Sequence, residues 1–116
     1  WNTELHTRSE GLQSRSEWQR REHYATLDYQ SHDAAWLRRN LNALAVEIVR
    51  RLVHQDAQAC YVLFNDPDLM PEAFMTRYAD RKAQLSAFQA NLQAAADYSE
   101  AMAAYQQFKT VIGWRG

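Results

Sequence analysis

The chain has 116 residues, a size that fits one domain and lets folding bury well over half of the surface an unfolded chain exposes. Thirteen basic side chains stand against 14 acidic ones, and the formal charge of −1 supplies no global field that would draw in nucleic acid or an anionic lipid surface. The single cysteine, Cys60, excludes an internal disulfide and the multi-cysteine zinc patterns, so it carries no argument about redox compartment.

No apolar run approaches the roughly 18 to 20 residues that span a bilayer, and no signal-peptide pattern opens the sequence, so this segment is not expected to insert into a membrane. It starts at Trp1 rather than at Met, which reads as a piece of something longer. Eleven of the 13 basic residues are Arg, a ratio that codon usage in a GC-rich genome produces as readily as chemistry does.

Between Gly11 and Gly113 there is no glycine, and the only prolines are Pro67 and Pro71. β-Hairpins need turn residues that this chain lacks, and its Ala, Gln, Arg, Glu and Leu content favours helix. The expected fold is all-α: a small bundle of three to four helices with antiparallel neighbours, or one completed by dimerisation. The helices are expected at about 3–30, 33–64, 71–96 and 98–112, within a single domain.

The first segment is helical by composition but weakly amphipathic. Leu5, Leu12 and Leu27 lie near one line, and Trp18, Ala25 and Tyr29 lie on another. Such a helix is peripheral, or its face is completed by a partner. The second segment carries the best pattern. Leu37, Leu41, Leu44, Ala45, Ile48, Leu52, Ala59 and Leu63 share one side, and Val49, Val53 and Cys60 widen the arc to about half the circumference. That is the expectation for a central helix touching at least two others, with Asp33 as its N-cap. From Asn65 to Pro71 the run Asn-Asp-Pro-Asp-Leu-Met-Pro predicts a reversal.

After the reversal, Phe74, Tyr78, Leu85, Phe88 and Leu92 form a stripe that Arg81 interrupts. Tyr98, Ala101, Met102, Tyr105, Phe108 and Ile112 form a second stripe, centred nearly opposite on the same wheel. One straight helix could not bury both against one partner. Either the helix breaks near Asp97 or Ser99, the preferred reading, or it continues and its second half meets another subunit.

The chain lacks the sequence motifs that hold catalytic groups. It holds no glycine-rich phosphate loop, no Gly-x-Ser-x-Gly, no His-Glu-x-x-His and no Cys-x-x-Cys. Neither Glu47 nor Glu72 has a His three residues on, as a carboxylate-bridged metal bundle requires. Asp28 and His32 have i, i+4 spacing, but two ligands make a weak metal site and a surface charge pair is the expectation. Cys60 lies in the apolar arc and reads as a structural thiol. No catalytic residue, cofactor or metal ligand is therefore assigned.

The cluster with most chemistry is the outer face of the central helix, where Trp36, Arg39, Ala43, Glu47, Arg50 and His54 lie within about a quarter turn. Trp and Arg are the side chains that dominate binding hot spots. Their bland alternative is that Trp36 packs under the first helix while the arginines pair with Glu17, Glu22 or Asp28. The residues expected to bind a partner are Trp36, Arg39, Arg50 and His54 on that face, and Tyr98, Met102, Tyr105 and Phe108 on the C-terminal stripe.

These features favour a non-enzymatic helical protein–protein interaction module, self-associating or acting as an adaptor in a larger assembly. A second expectation is an extracytoplasmic or membrane-flanking sensor domain, suggested by Trp1 and Trp114 near the two ends. A third, nucleic-acid binding, is disfavoured because two or three arginines beside Glu47 are too few and no helix-turn-helix glycine turn is present.

Overall fold

The computed structural model describes residues 15–26, 33–64 and 70–115, apart from the side chains of 61–64, 70 and 71. Four helices account for nearly all of it: α1 (Arg15–Thr26), α2 (Ala34–Phe64), α3 (Met70–Ala94) and α4 (Tyr98–Ile112). The expected helix ends at 3–14 and 27–30, the Asp28/His32 pair and the turn at 65–69 lie outside the described residues.

α2 begins as its sequence predicts: Asp33 Oδ1 accepts the backbone N–H of Trp36 at 2.8 Å, relieving one of the unpaired donors of the first turn. Its 31 residues correspond to roughly 46 Å of helix at 1.5 Å per residue, and the molecule's longest dimension is 52 Å. The wide apolar arc serves three neighbours, because α2 packs against α1, α3 and α4. Leu37, Leu41, Leu44, Ala45, Ile48, Val49, Leu52 and Cys60 are all buried. Each fully buried aliphatic side chain contributes about 1.5 to 3 kcal/mol of transfer free energy.

α3 runs antiparallel to α2, as the contacts show. Arg38 near the start of α2 reaches the carbonyls of Leu92 and Ala95, Asn42 meets Gln89 at 2.9 Å, and Asp56 meets Arg81. α4 in turn runs antiparallel to α3, with Phe88 against Phe108 and Arg81 against the carbonyl of Ile112.

Two phases of apolar residues after Pro71 required either a break or a second chain, and the helix breaks. α3 ends at Ala94, two residues before the expected 96. Asp97 caps α4 by accepting the N–H of Glu100 at 2.9 Å, and the Glu100 carboxylate reaches back to the N–H of Ala96 at 2.9 Å. This reciprocal bonding resembles a capping box and takes Ala96 out of α3. At the same corner Arg38 donates to the carbonyls of Leu92 and Ala95 at 3.2 and 2.7 Å, the first of which also accepts the N–H of Ala95 at 3.2 Å, so the guanidinium holds the end of α3.

α4 ends in a Schellman arrangement. Gly113 is left-handed (φ 81°) and donates to the carbonyls of Lys109 and Thr110, while the N–H of Trp114 returns to Lys109. That turn sets the Trp114 ring edge-on to Trp18 of α1, centroids 5.1 Å apart.

Candidate functional site

Three surfaces bring together the residues with binding chemistry. The first is the outer face of α2. Glu47 is its centre, accepting two bonds from Arg50 (3.0 and 2.6 Å) and one from Arg51 Nε at 2.8 Å. Burial pushes the Glu47 carboxyl up, but the Arg50 hydrogen bonds and the charges of Arg50, Arg51 and Arg21 outweigh it and hold the group below its ordinary range. The same bonds raise Arg50 above its ordinary value. His54 is exposed, with Nε2 3.5 Å from the Gln58 amide.

Arg50 therefore pairs within its own helix rather than with α1. Trp36 is partly buried against the core, and Arg39 is exposed on a cleft of about 370 Å³ between α2 and α3, alongside Asn42 and Gln93. The face predicted from sequence is thus divided. Trp36 belongs partly to the core, Arg50 to an intrahelical pair, and Arg39 and His54 to the surface.

The second surface is the junction of α1 and α4, and its hub is Tyr105. The side chain is fully buried, its hydroxyl donates to Glu22 Oε2, and it accepts the Trp18 indole N–H at 3.4 Å. Lys109 Nζ binds the same Glu22 oxygen at 2.7 Å and lies 4.8 Å from the centre of the Tyr105 ring. Burial, then the bond to Glu22 and its charge, push the Tyr105 hydroxyl far above its ordinary value. An open cleft of about 480 Å³ lies beside this hub, with Arg15, Gln19, Gln106 and Arg115 on its walls.

Tyr105 and Phe108 were read from the sequence as partner-binding residues. The break at Asp97 turns their stripe inward, so both are buried within the monomer, whereas Tyr98 and Met102 stay partly buried at its edge. Of the residues that complete the hub, Lys109 was not singled out and Glu22 was named only as a partner for the arginines of the central helix. Their positions carry no pattern, because the contact spans 87 residues and depends on how α4 folds back.

The third surface is a groove of about 260 Å³ between α3 and α4. Phe88 and Phe108 line it, both nearly fully buried, and Ala83, Ala87 and Ala104 form short walls. Val111 stands on the rim with 59% of its surface exposed. Gln84 also lines the groove, and its Oε1 is buried without a hydrogen-bond partner.

Among the described residues no group of three or more His, Cys, Asp or Glu side chains is arranged to hold a metal ion. None of the described helices is long and apolar enough to cross a membrane. Comparison with family models, with curated proteins and with solved structures gives no match to this chain.

Proposed function

We propose that the chain is a non-enzymatic, self-associating helical interaction module. The α3–α4 groove carries this reading. Its alanine walls are short enough to let another helix approach closely, and together with the exposed Val111 they offer apolar surface that water solvates poorly. Alanine at 83, 87 and 104 also keeps the entropy cost of docking low, because these side chains have no rotamers to freeze.

Sedimentation velocity over a hundredfold concentration range tests the proposal on wild type, Ala87→Arg and Val111→Arg. The expected result is a mass that rises with concentration for wild type and stays at one chain for both variants, with circular dichroism unchanged. A single-chain mass for the wild type at every concentration overturns the reading.

A further inference from the structure

We propose that the cleft between α2 and α3 is a binding site for a small dicarboxylate. This goes beyond the self-association reading, and the cleft shares no lining residue with the α3–α4 groove.

The cleft holds two arginines without a counter-ion. Arg38 is partly buried, and its guanidinium bonds neutral groups, the carbonyls of Leu92 and Ala95. Arg39, the next residue, is exposed on the same cleft. Among the described residues neither arginine pairs with a carboxylate, and the cleft lining includes no Asp or Glu. The carboxylates at this end of the molecule are engaged elsewhere: Asp33 caps α2, Asp97 caps α4, and Glu100 accepts the N–H of Ala96. A partly desolvated guanidinium with no opposite charge beside it, next to a second cation, makes a local positive field that attracts an anion. The whole-chain charge of −1 conceals that field, because it sums charges that lie far apart.

The donors select the kind of anion. The two bonds to α3 fix the Arg38 guanidinium and leave further N–H groups on it, so these donors are in place before a ligand arrives. Asn42 Oδ1 accepts the Gln89 amide at 2.9 Å, which leaves Asn42 its own N–H groups to offer. Adjacent positions on a helix point about 100° apart, so Arg38 and Arg39 reach the cleft from different directions. Two carboxylates on a short carbon chain match that arrangement better than one compact ion does, each meeting one guanidinium fork. The volume of about 370 Å³ suits a small ligand, and the Ala35 methyl and the aliphatic stems of Arg39 and Gln93 give its carbon chain a wall.

Succinate is the probe, titrated into the isotope-labelled full chain at constant ionic strength and followed by backbone amide chemical shifts. Sulfate, which carries the same charge in a compact ion, is the comparison. The expected result is saturable binding with shifts centred on 35–42 and 89–96. Arg39→Gln weakens it roughly tenfold through the loss of one charge-assisted pair. Gln93→Glu, which sets a carboxylate on the cleft wall, weakens it at least as much. Arg20→Gln removes an exposed charge on α1, outside the cleft, and leaves the affinity unchanged. All three positions are exposed on helices, so circular dichroism stays at the wild-type value.

No saturable succinate shift in the wild type overturns the proposal, as does an equal loss of affinity in Arg39→Gln and Arg20→Gln. Sulfate bound at the same residues as tightly as succinate also overturns it, because the cleft would then attract anions without selecting a dicarboxylate. These outcomes are read from shifts at the α2–α3 cleft, whereas self-association is read from mass, so either reading can fail without the other.

Discussion

Asp56 of α2 and Arg81 of α3 form a two-point ion pair, Nε to Oδ2 at 2.8 Å and Nη2 to Oδ1 at 3.0 Å, with the aspartate side chain only 6% exposed. The third guanidinium nitrogen donates to the carbonyl of Ile112 at 3.1 Å, so one arginine binds the middle of α2 and closes the end of α4. Arg77 lies 3.7 Å from the same carboxylate at the surface. Desolvation makes such a pair poor net stabilisation against an apolar core but costly to break on one side.

Asp56→Ala is accordingly expected to lower stability by about 3 kcal/mol, since it strands the partly buried Arg81 charge without its carboxylate. The double replacement Asp56→Leu/Arg81→Met loses less than the single one. Urea midpoints of the three proteins check this; a double variant weaker than Asp56→Ala would show that the pair adds net stability.

The central helix carries the core, and Leu44→Ala or Ile48→Ala should each cost about 2 to 5 kcal/mol. Equilibrium denaturation measures it. A loss under about 0.5 kcal/mol at either position would mean that the central helix does not bury this face in the core.

Tyr105 is a core residue with a polar end. Tyr105→Phe keeps the ring against Phe88 but removes a donor from Glu22 and an acceptor from Trp18, an expected loss of about 1 to 3 kcal/mol. Its raised pKa also has a sign. Stability is fully present below the unfolded value near 10 and falls as pH rises above it, because the buried hydroxyl resists ionisation that the unfolded chain permits. Melting curves between pH 8 and 12 should therefore show a steeper alkaline decline for wild type than for Tyr105→Phe.

Glu47 behaves in the opposite direction. Its folded pKa lies below the ordinary 4.5, so its contribution is present above that value and disappears as pH falls through the folded one. Glu47→Gln should reduce the melting temperature at pH 7 and converge with wild type in strong acid. Parallel curves from pH 7 to 2 would show that the Arg50 and Arg51 bonds do not contribute.

Gly113→Ala tests the α4 cap. A Cβ there would meet nothing within 4 Å, so the cost is the left-handed backbone alone, about 1 to 2 kcal/mol. Thermal unfolding reads this loss, and a change in the Trp18/Trp114 near-ultraviolet signal would show that the turn also positions Trp114.

The helical class, the central helix, its Asp33 cap and the break at Asp97 were legible in the sequence, because each depends on local chemistry. Spacing of apolar residues and the short side chains of Asp act over one or two turns. Arg81 was visible only as an interruption of its stripe. Asp56 falls between Leu52 and Cys60, four residues from each, inside the apolar arc of α2. Each is a misplaced charge until the other is known. Their pairing, like that of Glu22 with Tyr105 and Lys109, needs helices brought together across 25 or more residues. Local pattern could say that α4 must turn away from the phase of α3, and only the tertiary structure decided that it turns back onto its own chain, consuming Tyr105 and Phe108 in the core and leaving the α3–α4 groove at the surface. The reason is that burial depends on which faces meet, and a helical wheel ranks faces without naming their partners.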